Sequence, residues 1–200
     1  MSGSIERMAV SVIETEFGEF EILVYKELES GKEHVVLKKE WGDLVPLVRI
    51  HSSCMTGDIF ASVYCDCRSQ LHQAMKKVSE QGGLIVYLDQ EARGLGLTHK
   101  IKAYELQRQG MDTVEADEKI GEGVDLREYE LAADMLKDVG VNSLQLMTNN
   151  PRKVESLVDQ GLEVVRVEHV VKAQSERGMK YLMTKRKKMN HLIEDVEYRI

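Results

Sequence analysis

Short apolar runs that alternate with amphipathic segments are the feature that most constrains the fold of this chain. The runs at 20–24, 34–37, 45–50, 84–88, 144–147 and 164–167 are predicted strands. Helical periodicity predicts helices after Cys67, over 98–109, from near Asp125 to 139, from Pro151 onward and over 181–193. This alternation predicts an α/β fold. Because the N-terminal part is rich in strands, we expect a mixed β-sheet flanked by helices.

Size and composition define the general class of protein. A chain of 200 residues without repeats or linkers predicts a single domain over residues 1–200. No apolar run approaches the roughly 18 residues of a membrane span, and the first residues lack the pattern of a secretory signal. An odd number of cysteines fits a reducing cytosol, so we expect a cytoplasmic protein without a membrane partner. The net charge of −7 argues against a general nucleic-acid binder.

The three cysteines of the chain are concentrated in one short segment. Cys54, Cys65 and Cys67 lie in CMTGDIFASVYCDC, and no other cysteine occurs. Thiolates grouped in this way predict a soft metal ion, and three protein ligands predict a catalytic zinc with a position left for water. Two alternatives stay open: the thiols are buried as small apolar groups, or His51 supplies a fourth ligand.

Two further segments predict anion binding. In TNNPRK, Pro151 suits the first helical position, which makes Asn150 the N-cap and places Arg152 and Lys153 in the first turn. Free amides at a helix start, next to two cations, favour a phosphate. The loop QEARGLGL follows a predicted strand, and Arg93 in it offers a bidentate contact.

Two other residues allow more than one interpretation. Asp125 and Glu128 have the spacing of a capping box, so Asp125 is either a helix cap, a proton acceptor or both. Tyr104 falls in the middle of a predicted helix, where a core aromatic is the common explanation.

Taken together, these segments resemble the GTP cyclohydrolase II family of riboflavin biosynthesis, in order from about residue 14 to residue 193. The matching stretches are VRIHSSCMTGD, CDC followed by Gln70, QEARGLGL, KIKAYELQ, GMDTVEAD, the pair Asp125 and Arg127, LMTNNPRKVESL and KRKKMNHLI. The resemblance implies a cyclohydrolase II-like α/β fold. It also implies a homodimer, one zinc ion per chain and Mg²⁺ on the substrate phosphates.

The resemblance assigns a role to each matching residue. Cys54, Cys65 and Cys67 would bind zinc, Asp125 would accept a proton, Arg127 would attack the α-phosphate, and Tyr104 would belong to the active site. GTP contacts are implied for Arg49, Ile50, His51, Ser52, Ser53, Gln70, Glu91, Ala92, Arg93, Thr113, Thr148 and Lys153. Gln70, three residues after Cys67, is expected to read the edge of the base.

The family reaction opens the imidazole ring of GTP and releases C8 as formate, together with pyrophosphate. The product is 2,5-diamino-6-ribosylamino-4(3H)-pyrimidinone 5′-phosphate. Hydrolysis at C8 needs hydroxide at neutral pH, which a zinc-bound water supplies.

Four positions depart from the family pattern. Ser53 replaces the glutamate of HSEC, Arg68 the glycine of CDCG and Ala92 the glycine of QEGR, while Asp89 stands where a basic residue is usual. These changes leave open another nucleotide substrate, such as a related purine nucleotide, or a product that keeps the formyl group. Two rivals from other classes are a zinc deaminase, whose signature the chain lacks, and a non-enzymatic zinc module, which predicts a fourth ligand.

Overall fold

A mixed β-sheet organises this computed structural model, which describes residues 4–121, 126–169, 171–173, 175–188, 192–193 and 196–198. The strands are β1 (Ile5–Thr15), β2 (Gly18–Glu27), β3 (Glu33–Lys39), β4 (Leu47–Ser52), β5 (Gly83–Leu88), β6 (Ser143–Met147), β7 (Glu163–Val167), β8 (Val171–Ala173) and β9 (Val196–Tyr198). The helices are α1 (Cys67–Gln81), α2 (Gly96–Arg108), α3 (Thr113–Ile120), α4 (Glu130–Asp138), α5 (Pro151–Asp159) and α6 (Glu176–Lys188).

Within the described residues, seven strands form one sheet in the order β1-β2-β3-β5-β4-β6-β7. The pairs β1–β2, β2–β3 and β3–β5 are antiparallel, whereas β4–β6 and β6–β7 are parallel. A separate parallel pair joins β8 to β9. The predicted α/β fold with a mixed sheet is therefore confirmed.

Packing divides the chain into two compact units. The first, here called the sheet unit, comprises Met1–His51, His72–Asp89 and Glu128–His169. The second, here called the cysteine unit, comprises Ser52–Leu71, Gln90–Arg127 and Val170–Ile200. The single domain over residues 1–200 stays a prediction.

The two units differ in the apolar core that each contains. Buried side chains of the sheet unit form one large cluster that includes Leu23, Tyr25, Val36, Val48, Ile50, Leu84, Val86, Leu88, Met135, Leu136, Leu144, Leu146 and Leu157. In the described part of the cysteine unit, a small cluster contains Ala173, Leu182 and Ile193, with Met179 packed against it. Among the described residues, the sheet unit therefore buries more apolar side chains than the cysteine unit does.

A glycine pair fixes the junction between α1 and β5. Gly82 and Gly83 both have positive φ, which is typical of glycine that follows the end of a helix. A Cβ on Gly83 would lie 2.0 Å from the carbonyl oxygen of Leu47. Only glycine allows this close approach of two backbone segments.

Three helix predictions need correction. The helix predicted to begin near Asp125 begins at Glu130, with Tyr129 as its N-cap, so Glu128 is outside it and the predicted capping box is wrong. Asp125 itself lies outside the described residues. The last helix spans Glu176–Lys188 and begins five residues before the predicted start at 181; residues 192–193, which were predicted to belong to it, are not helical. Helix α3 was not predicted, although Asp112 and Glu115 form its capping box.

The helix predicted after Asn150 is confirmed as α5, with Pro151 as its first residue. The side chain of Asn150 accepts a hydrogen bond from the amide of Arg152 at 3.1 Å, which is the predicted N-cap. Among the described residues, no helix combines the length and the apolar character needed to cross a membrane.

Candidate functional site

The three cysteines meet in the cysteine unit. Cys54 follows β4 and precedes a π-helical turn at Met55–Ile59, and Cys67 is the first residue of α1. The three sulfur atoms all lie within 4.8 Å of one another, and the Sγ atoms of Cys54 and Cys65 are 3.6 Å apart. Thiolates bound at about 2.3 Å to a tetrahedral zinc are about 3.8 Å apart. The donor set therefore fits zinc.

Gly57 has no side chain, and the cysteine sulfurs occupy the space that a side chain would need. A Cβ at this position would lie 2.8 Å from Sγ of Cys65 and 2.9 Å from Sγ of Cys54. Its backbone is not in the left-handed region, so conformational freedom does not explain the glycine. The reason is steric, because any side chain would push into the cluster.

The electrostatics of the cluster favour a bound cation. Hydrogen bonds from the thiols of Cys65 and Cys67, and then the charge of Lys100, hold the pKa of Cys54 well below its ordinary value. The hydrogen bond with Cys54, together with burial, raises the pKa of Cys65 to about 11. Three adjacent sulfurs therefore do not ionise together in the protein alone, whereas a divalent ion would stabilise all three thiolates.

Lys100 connects the cluster to the loop that follows β5. Its Nζ donates to Sγ of Cys54 at 2.9 Å and to Oε1 of Glu91 at 2.8 Å. The other carboxylate oxygen of Glu91 accepts from the amide of Met55 at 2.7 Å. Because both oxygens of Glu91 already bind protein donors, this side chain joins two loops of the site.

Tyr104 lies one turn after Lys100 on α2. Its hydroxyl is 3.1 Å from the hydroxyl of Thr56, and its ring packs edge-on against Tyr64 with centroids 5.3 Å apart. Burial raises the pKa of Tyr104 to about 12, and the nearby Cys65 and Cys54 contribute to that rise. The phenol is therefore neutral near pH 7 and can donate a hydrogen bond.

The turn after β5 has an unusual backbone. Ala92 (φ 51°) and Arg93 (φ 64°) are both in the left-handed region, where a side chain costs about 1–2 kcal/mol. The guanidinium of Arg93 donates to Asp117 at 2.5 Å, and the other oxygen of Asp117 is 2.9 Å from Nε2 of His99. This buried network holds the strained turn in place.

In the sheet unit, predicted GTP-binding residues gather at the end of β6. Arg49 donates to the carbonyl of Met147 at 3.0 Å, and Lys153 donates to the carbonyl of Ile50 at 2.8 Å. The hydroxyl of Thr148 accepts from the amide of Asn150 at 3.1 Å. Arg49 and Lys153 are thus two buried cations in the unit that also contains the start of α5. This arrangement favours the binding of an anion.

The buried ring of His169 is influenced by these cations but carries no charge itself. Asn149 and the backbone of His169 exchange two hydrogen bonds, of 2.6 and 3.0 Å. Burial, followed by the charges of Arg49, His51, Lys77 and Lys153, lowers the pKa of His169 to about 2. Its ring is therefore neutral near pH 7.

The predicted site residues fall into two groups. The sheet unit holds Arg49, Ile50, His51, Thr148 and Lys153, whereas the cysteine unit holds Ser52, Ser53, Cys54, Cys65, Cys67, Gln70, Glu91, Ala92, Arg93, Tyr104, Thr113 and Arg127. Asp125 lies outside the described residues. Among the described residues, the cluster of possible metal ligands contains the cysteines and not His51, whose ring stacks on Tyr87. Arg68 is exposed.

Sequence reasoning did not identify the contacts that Lys100, Asp66, Asp117 and Lys185 make. For Lys100 a signal was available, since it precedes Tyr104 by four residues and therefore shares its helix face. The pairs Asp66–Lys185 and Arg93–Asp117 gave no such signal, because the two partners of each pair are distant in sequence.

The GTP cyclohydrolase II family model matches residues 6–170. Riboflavin biosynthesis protein RibBA of Bacillus cereus is 44% identical over 194 residues, which is 94% of this chain and 48% of that protein. RibBA of Bacillus subtilis is 44% identical over 193 residues, with the same shares. RibBA of Synechocystis is also 44% identical over 193 residues, but only 34% of it is covered.

A solved structure matches part of this chain. It is that of RibBX, a two domain 3,4-dihydroxy-2-butanone 4-phosphate synthase from A. baumannii, with a TM-score of 0.43 and 21% identity. The match covers 72% of this chain and 34% of that one.

The chain spans about half the length of the Bacillus relatives that it matches. Within that span, the family model covers the cysteine cluster, the turn after β5 and the start of α5. By this match and by its identity to the RibBA proteins, the chain belongs to the GTP cyclohydrolase II family.

Proposed function

We propose that this chain is a zinc-dependent GTP cyclohydrolase II. It would open the imidazole ring of GTP, release formate and pyrophosphate, and form 2,5-diamino-6-ribosylamino-4(3H)-pyrimidinone 5′-phosphate as the first step of riboflavin biosynthesis. The observation that carries the proposal is the cluster of Cys54, Cys65 and Cys67 around Gly57, in a member of this family. A cytoplasmic homodimer is part of the same proposal.

The metal site would work through its three thiolates and their neighbours. Cys54, Cys65 and Cys67 would hold one zinc ion per chain, with Lys100 balancing the negative charge of the thiolates. Zinc bound there would supply an acidified water for attack at C8 of the base. Tyr104, neutral near pH 7, would donate a hydrogen bond beside the reacting group.

The polar residues would bind the nucleotide. Arg49, Lys153 and Thr148 would bind its phosphates together with Mg²⁺, because cations at a helix start favour an anion. Gln70 would bind the base. Further contacts would come from Ile50, His51, Ser52, Ser53, Glu91, Ala92, Arg93 and Thr113. Asp125 would accept a proton, and Arg127 would attack the α-phosphate.

Product analysis tests this proposal. Zinc-loaded protein is incubated with GTP and Mg²⁺, and formate, pyrophosphate and the pyrimidine are identified by mass spectrometry. Cys65→Ser should abolish ring opening because it removes a metal ligand. Ser62→Ala, in the same loop, should leave it intact. Undiminished formate release by Cys65→Ser would refute the catalytic zinc.

A second outcome concerns the product and the substrate. Ala92 has a left-handed backbone in the turn where the family pattern has glycine, and Ser53 replaces a glutamate. These two changes near the nucleotide support an alternative function. In it, the product keeps the formyl group or the reaction takes place on another purine nucleotide. The same mass spectra separate these outcomes, because a retained formyl group adds the mass of CO to the pyrimidine.

A further inference from the structure

Asp66 lies between Cys65 and Cys67 in the sequence, and its carboxylate contacts Gln70 and Lys185. The residue is only 3% exposed. One oxygen accepts a hydrogen bond from Nε2 of Gln70, and the other is 3.5 Å from Nζ of Lys185 on α6. The amide of Gln70 also donates to the backbone carbonyl of Asp66 at 3.0 Å. Asp66 thus joins the cysteine loop to α1 and α6.

This contact determines which way the Gln70 amide faces. A carboxylate only accepts hydrogen bonds, so the group of Gln70 that meets Asp66 must be the NH₂ donor. The carbonyl oxygen Oε1 then lies on the opposite side of the amide, where it acts as an acceptor. Guanine presents N1–H and 2-NH₂ donors on its Watson–Crick edge, and an acceptor suits that edge.

Lys185 keeps the charge of this buried carboxylate compensated. Its side chain is 14% exposed, and its ammonium lies 4.3 Å from the centroid of the Tyr181 ring. Burial by itself lowers the pKa of Lys185, but the charge of Asp66 and the contact with Tyr181 raise it, and the net direction is upward. An uncompensated carboxylate at this depth would cost several kcal/mol.

Helix α6 contacts the same loop at a second point. The hydroxyl of Ser175, just before α6, donates to the carbonyl of Val63 at 2.7 Å. A Cβ on Gly178 would lie 3.3 Å from that carbonyl oxygen, so the helix approaches the loop closely here as well. Both ends of α6 therefore fix the segment that leads into Cys65, Asp66 and Cys67.

We propose that Asp66 and Lys185 are positioning residues that hold the Gln70 amide with its oxygen toward the base, and thereby determine recognition of a guanine edge. The inference rests on the proposed function, in which Gln70 contacts the base. Asp66→Asn tests this role most directly, because asparagine keeps the size of the side chain but offers both a hydrogen-bond donor and an acceptor. The contact with residue 66 then no longer selects one orientation of the Gln70 amide.

A double-mutant cycle tests whether Asp66 acts through Gln70. Asp66→Asn should raise KM for GTP about tenfold, equivalent to about 1.4 kcal/mol, while kcat and zinc affinity change little. In a Gln70→Ala background, the same substitution should have no further effect on KM. Equal effects in both backgrounds, or loss of zinc in competition with a chelator, would overturn the proposal.

Lys185→Met should reproduce the rise in KM, whereas Lys187→Met, an exposed lysine two residues later, should not. If a single charge change prevents folding, the uncharged pair Asp66→Asn with Lys185→Gln replaces it and carries the same expected KM. An unchanged KM in these variants would contradict the proposal.

A nuclear magnetic resonance measurement separates this inference from the proposed function. The side-chain NH₂ signal of Gln70, assigned by its absence in Gln70→Ala, is recorded in zinc-loaded protein without nucleotide. It should shift in Asp66→Asn and Lys185→Met but not in Lys187→Met. An unmoved signal refutes the positioning role even where GTP is turned over. A shifted signal in a protein that leaves GTP untouched refutes only the proposed function.

Discussion

Gly57 illustrates how a single residue makes room for the three cysteine sulfurs. The sulfur atoms of Cys54 and Cys65 occupy the volume that a Cβ would need. Contacts under 3.0 Å between a carbon and a sulfur are repulsive, so one group has to move. A π-helical turn and a loop connect Cys54 to Cys65. If either segment moves to relieve the contact, the two sulfur atoms move apart.

We expect Gly57→Ala to lower zinc affinity at least tenfold, because ligand displacement weakens every metal bond in the site. Competition with a chromophoric chelator measures this affinity. Gly121→Ala is the matched control, since its Cβ would meet nothing within 4 Å and its positive φ costs only stability. Equal zinc affinities of the two variants would show that the steric argument is wrong.

At the scale of elements, the turn after β5 has a strained backbone that contacts with neighbouring elements hold in place. Ala92 and Arg93 take left-handed conformations that glycine adopts without cost. Asp117 of α3 and His99 of α2 hold the side chain of Arg93, and the carbonyl of Arg93 accepts from the amide of Leu126 at 3.0 Å. The neighbouring elements therefore stabilise a turn that its own residues disfavour.

Ala92→Gly should raise the free energy of unfolding by about 1 kcal/mol, because it removes the left-handed penalty of a Cβ. Urea denaturation of the zinc-loaded protein, followed by circular dichroism, measures the change. Ala116→Gly is the opposite control: Ala116 is buried in α3, so loss of its methyl group in a regular helix should lower stability. A destabilised Ala92→Gly variant would contradict the strain argument.

Much of the element pattern could be predicted from the sequence, because apolar periodicity reports local burial. Helix α5 and its Asn150 cap depend on residues adjacent in sequence, so the prediction succeeded. Helix α4 was placed too early, since the Asp125–Glu128 spacing imitates a cap that the backbone does not form. In β2 the most buried residues are Phe20, Leu23 and Tyr25, which do not follow a strict alternation of buried and exposed positions. The pairing of β1 with β2 contains a register shift, which local alternation does not reveal.

The candidate site was predictable only where its residues form a compact motif. The cysteines lie within 14 positions, and their cluster could be proposed from that spacing. Asp66 and Lys185 are 119 residues apart, and Arg93 and Asp117 are 24 apart. Such pairs depend on the tertiary fold, and the sequence does not indicate which charged residues will pair.

At the scale of the molecule, the two units depend on different sources of stability. The sheet unit has the large apolar cluster. The cysteine unit has a small apolar cluster in its described part and several ion pairs of limited exposure, which include Lys100–Glu91, Arg93–Asp117 and Lys185–Asp66. Buried ion pairs contribute little net stability. A bound metal at a thousandfold excess over its Kd contributes about 4.1 kcal/mol.

Removal of zinc should therefore loosen the cysteine unit before the sheet unit. Amide hydrogen exchange is followed by mass spectrometry, with and without a chelator. Helices α2, α3 and α6 should lose protection after chelation, whereas β2, β3, β5 and β6 should keep it, because their hydrogen bonds are covered by the apolar core. Cys65→Ser is the matched control, and the same helices in it should exchange rapidly whether or not zinc is added. Uniform loss of protection in both units would instead indicate one cooperative structure, in which the metal stabilises the sheet as strongly as the cysteine loop.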